Sequence, residues 1–413
     1  MTVRPDFAAV GAPTTVENAD VTVVGGAGHV GISLVLALAD AGLRINVNDI
    51  NRKSLAILET GCLPFIEDGA DSALQKALAN KRLVFTNSAD LISTRGPVIV
   101  TIGTPIDEFL NPVRKVVQDC FDAMVDYLVD GQLVVLRSTV FPGTTEWLAC
   151  YLQAKGRKLN VAFCPERVVQ GNGLRELRDM PQIVSGTTPE AERDAVSLFE
   201  RISPEVVTVS PIEAEFAKLF SNAYRYIEFA ATNEFYLVAK SAGVDYQRVL
   251  KAMKHNYPRA KSIPRPGFAA GPCLVKDTMQ LSAFARNQFG LGHAALLINE
   301  GLVLHVIEDL KRRFDLANMT VGLVGMAFKA ESDDTRASLS YKFKKTLNGT
   351  ARAVLTTDPF VTTDPELRPL DEVIAESDVL ILCAPHAVYR EANFKGKPVF
   401  DVWGHLEGDN IIR

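Results

Sequence analysis

At 413 residues the chain is too long for one ordinary domain, so two or three domains are expected. Hydrophobic residues make up 47%, charged residues 23%, and the formal net charge is −5, a globular composition without the basic excess of a nucleic-acid binder. Nucleic acid is therefore excluded as a partner. The six cysteines, at positions 62, 120, 150, 164, 273 and 383, form no CxxC pair and no cluster with the histidines. That pattern points to a reducing, cytoplasmic setting and to no metal site. Residues 1–20 contain no apolar signal-like core and read as a flexible lead-in. No uninterrupted apolar run reaches the roughly 18–20 residues needed to cross a bilayer, so no membrane association is expected.

From Val21 the pattern is strand, glycine turn, helix, strand: VTVV, GGAGHVG, ISLVLALADAG and LRINVNDI. Short apolar runs follow at 82–86, 97–102, 133–137, 161–164 and 182–185, separated by helical or turn segments, as in a mostly parallel sheet. Beyond about Ala191 the strand signal fades. The stretch from Pro211 to Gly243 then carries apolar positions at helical spacing, which predicts one long central helix. From Asn318 the strand and turn pattern returns in MTVGLVGMAF, RAVLTTDP, SDVLILCAPH and KPVFDVWG. The predicted fold class is α/β, with two Rossmann-like parallel-sheet domains joined by a long helix and a helical middle region. The expected boundaries are 21–210, 211–317 and 318–413. Asp358 ends the second strand of the C-terminal part much as Asp49 does near the N-terminus, a faint echo of a duplicated architecture.

Gly26, Gly28 and Gly31 form GxGxxG between a strand and a helix, with His29 and Val30 inside the turn and Asp49 eighteen residues after Gly31. The glycines let a pyrophosphate approach the helix N-terminus, whose free amides favour anions. The Asp49 carboxylate suits ribose hydroxyls and would repel a 2′-phosphate, so NAD is expected in preference to NADP. Three further strand ends carry polar loops: Gly103 and Thr104 in GTP, Ser138 and Thr139 in STVFPGTT, and Glu166 in CPERVVQG. Serine and threonine there are often no more than turn formers or helix caps. Glu166 differs, because a carboxylate at the end of an apolar strand is placed to act on substrate or water.

On the long helix Lys218 and Asn222 are four residues apart and share a face. Such a pair can hold an oxyanion by charge and hydrogen bond, although solvated surface pairs have the same spacing. In PGFAAGPCLVKDT a single cysteine, Cys273, follows a glycine-rich run and precedes Lys276 and Asp277. A nearby cation can favour the thiolate, the form that attacks carbonyl carbon.

Taken together, GGAGHVG with Asp49, GTP, STVFPGTT, CPER, AEFAKLFSNAYR, PGFAAGPCLVKDT and VGMAFKAESDDTRAS resemble the nucleotide-sugar 6-dehydrogenases, the UDP-glucose and GDP-mannose dehydrogenase group. The resemblance spans Val21 to Gly404. It implies oxidation of the C6 alcohol of a nucleotide sugar to a carboxylate with two NAD per turnover. It makes Cys273 the nucleophile that traps the C6 aldehyde as a thiohemiacetal and then a thioester. Lys218 and Asn222 become the oxyanion pair. Asp277 helps take the alcohol proton with Thr104 as a contributor, and Glu166 serves proton transfer and thioester hydrolysis. It places Lys276 with the cofactor. Arg167, Val168, Arg225, Phe268, Gly271, Lys329 and Arg336 join the substrate site, and Arg259 reaches it across a homodimer interface. The active site is expected between the two α/β domains.

Two departures bear on the sugar: Gln170 stands where glucose-type enzymes have a second glutamate, and GFAAGPCLVKD replaces GFGGSCFPKD. Both look like the branch acting on UDP-N-acetylhexosamines, whereas Lys276 is kept as in glucose-type enzymes, and a dTDP-sugar stays open. Two other readings compete. One is a two-electron 3-hydroxyacid dehydrogenase, which Cys273 and the second α/β domain argue against. The other is a non-catalytic nucleotide-sugar-binding protein.

Overall fold

The structure is a computed structural model that describes residues 19–92 and 96–413. The lead-in expected over 1–20 lies, through residue 18, outside the described residues. The described chain divides into two compact units, the first built from residues up to Thr104 and from Arg114 to Glu215, the second from 105–113 and 216–413.

The first unit is an eight-stranded sheet: β1 (Val21–Val24), β2 (Ile45–Asn48), β3 (Leu83–Thr86), β4 (Val98–Val100), β5 (Leu133–Leu136), β6 (Asn160–Phe163), β7 (Gln182–Gly186) and β8 (Val206–Thr208). Their order is β3-β2-β1-β4-β5-β6-β7-β8, parallel throughout except where β7 runs antiparallel to β6. Strands β1, β4 and β5 are buried on both faces, which is why β4 and β5 read as unbroken apolar runs and β1 is broken only by Thr22. β8 was not expected from sequence: it is an edge strand with Val207 and Thr208 exposed, so burial left no pattern to read. The order reverses at β1, which has β2 on one side and β4 on the other. The carboxyl ends of β1, β4, β5 and β6 carry the GxGxxG, GTP, STV and CPER loops, the region where open sheets of this kind bind ligands.

The glycine turn is sterically specified. A Cβ on Gly31 would lie 2.3 Å from the Gly25 carbonyl oxygen and 2.6 Å from the Gly26 Cα, whereas Gly28 has open space beyond one contact at 3.4 Å. Gly31 therefore lets the helix His29–Asp40 pack on the strand, and Gly28 leaves its N-terminus accessible.

The second unit contains most of the 31-residue helix Pro211–Ser241. Proline opens it at a position where no N–H is needed. Gly243, at φ +70°, closes it while the Val244 N–H returns to the Ala239 carbonyl. The unit's sheet has β9 (Thr320–Val324), β10 (Ala353–Thr357), β11 (Val379–Leu382), β12 (Val399–Phe400) and β13 (Ile411–Ile412), all parallel in the order β10-β9-β11-β12-β13. Helical, loop and sheet residues share one core: Leu302, Val306 and Phe268 pack with Val321, Leu323 and Phe400. The helix Gly290–Arg313 is long and apolar enough to cross a bilayer, yet its Leu302, Val303, Val306, Ile307 and Leu310 lie in this core.

The faint echo between the two sheets has a physical basis. Asp49 accepts the Ala27 N–H at 3.0 Å, and Asp358 accepts the Met326 and Ala327 N–H groups at 2.6 and 2.9 Å. In both sheets an aspartate at the end of the second strand holds the turn after the first.

Replacing Gly31 by alanine forces the helix off the strand. The expected cost is about 1–3 kcal/mol of stability and a roughly tenfold or greater loss of NAD affinity. Thermal melts and an NAD titration check this, and unchanged affinity would contradict the role given to Gly31.

Candidate active site

The long helix organises the site in the second unit. Near its start it carries Lys218 and Asn222, both nearly buried, one turn apart on one face. Three turns further on, Asn233 accepts the Gly267 N–H at 2.8 Å and donates to the Gly267 carbonyl at 3.0 Å. This pairing anchors the start of the glycine-rich segment that leads to Cys273. Gly271 in that segment has φ +106°, and a Cβ there would meet the Phe328 ring at 2.6 Å, so only glycine fits against the loop after β9.

Cys273 occupies the N-cap of the helix Leu274–Phe284, with Asp277 one turn inside. Two i, i+4 pairs thus meet. Asn222 Nδ2 donates to Asp277 Oδ2 at 2.5 Å. Asp277 is fully buried, and its Oδ1 has no hydrogen-bond partner; the nearest cation, Lys276 Nζ, is 3.5 Å away. A buried carboxylate oxygen left open in this way is a site for a hydroxyl or a water.

The electrostatics of the thiol differ from the sequence expectation. The thiol is open to a reagent, but protein surrounds it closely enough that burial is the first cause pushing its pKa up. The Asp277 carboxylate adds to the rise, while Lys276, Lys218 and Arg336 pull the other way. The net direction is up, so the nearby cations do not by themselves make a thiolate. Lys276 Nζ, on the same helix, lies 3.5 Å from Asp277 Oδ1.

Arg336 is exposed and held by Asp334, with Nε at 3.0 Å from both carboxylate oxygens and Nη2 at 2.6 Å from Oδ2. Its charge is among those that pull the Cys273 pKa down. Lys329 lies in the same loop, half-buried. The Phe268 ring, expected at the substrate site, is 3% exposed and packs edge-on against Phe343 and Trp403 in the second unit's core. The sequence alone cannot tell an aromatic beside a glycine turn from one beneath it. Arg225 is exposed on the long helix. Arg259 is exposed on the turn Pro258–Ala260, its guanidinium 5.4 Å from the Tyr257 ring, and is not among the charges acting on Cys273.

In the first unit the cofactor loops are fitted for a dinucleotide. No side chain caps the helix that begins at His29, and its N-terminus is open at Gly28. Val30 follows in the same first turn. Asp49 accepts Ala27 N–H through Oδ2 and Asn51 N–H through Oδ1, leaving each oxygen a lone pair for a ribose hydroxyl. Gly103 has open space where a Cβ would be. Ser138 Oγ donates to the Ile102 carbonyl and Thr104 Oγ1 to the Thr139 carbonyl, each at 2.5 Å, so the two loops are tied together.

Glu166 is buried and fully engaged. Oε2 accepts from Arg137 Nε at 3.0 Å and Nη2 at 2.5 Å, and Oε1 accepts the Arg167 and Val168 N–H groups at 2.8 and 3.0 Å. Val168 packs against the first unit's core, and an Arg167 Nη2 bond goes to the Pro181 carbonyl. Sequence reasoning missed Arg137, which ends the run LVVLR and reads as a strand terminator. A charged residue directly before STV was the available signal.

Three family models match the chain in order. Residues 19–203 match the NAD binding domain of the UDP-glucose/GDP-mannose dehydrogenase family, 212–300 its central domain and 322–408 its UDP binding domain. A UDP-N-acetyl-D-mannosamine dehydrogenase of Pyrococcus horikoshii is 27% identical over 94% of this chain and 95% of its own length. An NDP-N-acetyl-D-galactosaminuronic acid dehydrogenase of Ralstonia nicotianae is 26% identical over 94% and 96%. A solved UDP-glucose dehydrogenase from Pyrobaculum islandicum superposes with a TM-score of 0.88 at 25% identity, covering 97% of this chain and 98% of that one.

Because its pKa is raised, Cys273 is expected to react with iodoacetamide more slowly at pH 7.5 than a free thiol. The rate should climb about tenfold per pH unit to beyond the ordinary cysteine value of about 8.5. Asp277→Asn removes one cause of the rise and should move the profile to lower pH. Peptide mass spectrometry at a series of pH values reads both, and an unmoved profile would contradict the Asp277 contribution.

Proposed function

Because the chain belongs to the UDP-glucose/GDP-mannose dehydrogenase family and is an NAD-dependent nucleotide-sugar dehydrogenase, we propose that it oxidises the C6 hydroxyl of a UDP-N-acetylhexosamine to the carboxylate in two steps. The observation that carries this reading is the open Oδ1 of buried Asp277 beside Cys273, with Lys218 and Asn222 on the facing helix. Bound NAD supplies the hydride acceptor for each oxidation.

The chain's own residues do the rest. Asp277, its other oxygen fixed by Asn222, receives the hydroxyl proton directly or through a water. The aldehyde left by the first oxidation is electrophilic, and the Cys273 sulfur adds to C6 while its proton passes to the former carbonyl oxygen, giving a thiohemiacetal. Lys218 and Asn222 stabilise the oxygen as it gains negative charge. The second oxidation leaves C6 as a thioester. Water adds to that carbon, the C–S bond breaks, and carboxylate and free thiol are released. The balance is one alcohol, one water and two NAD to one carboxylate, two NADH and three protons. A thiol protonated at rest suits this order, since it is needed only once an aldehyde exists.

The N-acetylhexosamine assignment rests on Gln170 and the GFAAGPC sequence, and the named relatives acting on N-acetylated sugars support it. Lys329 and Arg336, in the stretch matching the UDP binding domain, are the residues proposed for the nucleotide-sugar phosphates. A homodimer through the long helix is part of the same reading, with Arg259 contributing across it. Phe220, Tyr224, Phe235 and Val238 are each at least half exposed on that helix, a stripe that a second copy would cover.

Purified enzyme should yield two NADH per UDP-N-acetylmannosamine or UDP-N-acetylglucosamine. Cys273→Ser should lower kcat on the order of 10³-fold or more. One NADH per sugar with an unaffected variant would instead support a two-electron dehydrogenase. Light scattering should give the dimer mass, and Tyr224→Glu should shift it to that of a monomer; a monomeric wild type would remove the proposed interface.

A further inference from the structure

Lys329 and Arg336 stand on the loop that follows β9, and part of that loop is held from another strand. We propose that His386, just beyond the end of β11, is a positioning residue that sets this loop for the nucleoside diphosphate of the substrate. The proposal rests on the nucleotide-sugar dehydrogenase reading, in which Lys329 and Arg336 serve the phosphates.

His386 is 0% exposed, and both of its ring nitrogens are engaged. Its Nδ1 is 3.0 Å from the Glu331 backbone nitrogen; an N–H can only donate, so Nδ1 is the acceptor and carries no proton. The ring proton is therefore on Nε2, which donates to Asp358 Oδ2 at 3.1 Å. The Asp358 side chain is fully buried as well. The Phe360 and Tyr389 rings pack against the imidazole, 5.0 and 5.5 Å away between centres. One neutral ring thus joins the ends of β10 and β11 to the loop after β9.

Asp358 by itself does not reach the phosphate residues. Its Oδ2 accepts the Met326 and Ala327 N–H groups, and its Oδ1 accepts those of Phe360 and Val361 at 2.8 and 3.1 Å. At the corresponding place in the first sheet, Asp49 accepts one N–H on each oxygen. With His386 as a fifth donor, Asp358 is given over to holding its own surroundings, and its hold on the loop after β9 stops at Ala327, short of Lys329.

An exchange of bonds between Glu331 and the His386 segment extends that hold. Glu331 gives its N–H to the His386 ring, and its carboxylate Oε1 accepts the Ala387 N–H at 2.7 Å. Glu331 has φ +52°, in the left-handed region that a residue with a side chain enters at a cost, so the turn needs outside support. Lys329 is two residues before it. On the far side of the loop, Arg336 is held by Asp334, whose carbonyl accepts the Phe328 N–H at 2.9 Å. Between these two holds His386 supplies the support that comes from another strand, on the half of the loop that carries Lys329.

The test uses two amides that each keep half of the ring's bonding. In His386→Asn the amide oxygen falls near the place of Nδ1 and can still accept the Glu331 N–H. In His386→Gln the amide nitrogen falls near the place of Nε2 and can still donate to Asp358, while the Glu331 N–H loses its acceptor. Calorimetry with UDP reads the phosphate site, a separate titration reads NAD, and hydrogen exchange of the amides at 329–332 reads the loop. His386→Gln should weaken UDP about tenfold and raise KM for the nucleotide sugar by a similar factor, with kcat and NAD affinity within about twofold of wild type. His386→Asn should recover most of that loss. Glu331→Ala, which removes only an exposed side chain and so spares the fold, should weaken UDP about threefold. Wild-type UDP affinity in His386→Gln or in Glu331→Ala would overturn the proposal. So would equal losses of UDP and NAD affinity in both amide variants, the mark of a general loss of stability. If the wild-type chain binds no UDP, it is the nucleotide-sugar reading that fails, and exchange still judges the clasp. Faster exchange at Glu331 in His386→Gln than in His386→Asn supports it, and equal exchange in the two overturns it.

Discussion

The hydrogen bond from Asn222 to Asp277 is the contact on which the arrangement of polar groups in the second unit depends. It occupies one oxygen of a fully buried carboxylate and leaves the other open. Without it, the buried carboxylate would keep only the Lys276 ammonium 3.5 Å from Oδ1, and a buried carboxylate without hydrogen-bond donors is expensive. Because Asn222 is one turn from Lys218, and Asp277 one turn from Cys273, the same bond sets the ammonium, amide, carboxylate and thiol in register. The long helix secures the arrangement at a second point, where Asn233 grips Gly267 through both its amide groups.

Buried acids recur as holders of loop backbone. Asp49 and Asp358 fix the turns after the first strands of their sheets, and Glu166, Glu176 and Glu67 hold the loop from 167 to 173. Glu215 accepts the Gly143 and Thr145 N–H groups at 2.5 and 2.8 Å, and so closes the N-terminus that follows the STV loop. Each takes donors that would otherwise be buried without partners. In Glu67 and Glu215 burial is the first cause raising the pKa, and the amides they accept work against it. The loops that would meet cofactor and sugar are thus organised by internal electrostatics before a ligand is present.

Much of this was legible in the chain because the signals were steric or periodic. GxGxxG followed by Asp49 marks a turn that tolerates no side chain at Gly31, and the i, i+4 spacings of Lys218 with Asn222 and Cys273 with Asp277 identify helix faces. What was not legible depends on partners remote in sequence. Arg137 and Glu166 are twenty-nine residues apart, and nothing local shows that one neutralises the other. Phe268 is indistinguishable by sequence from a pocket-lining aromatic until Phe343 and Trp403 are seen around it. The thiol's upward shift depends on the protein packed around an otherwise accessible Cys273, whereas local charge alone suggested the opposite. β8 escaped because an exposed edge strand has no apolar alternation.

The most direct measurement is a double-mutant cycle on kcat between Asn222→Ala and Asp277→Asn with a UDP-N-acetylhexosamine. If the two side chains act as one unit around a single carbon, each single variant and the double lose nearly the same factor, because either change already dismantles the arrangement. If the losses multiply, the residues act independently, and the account of Asp277 as a carboxylate made available by Asn222 is wrong.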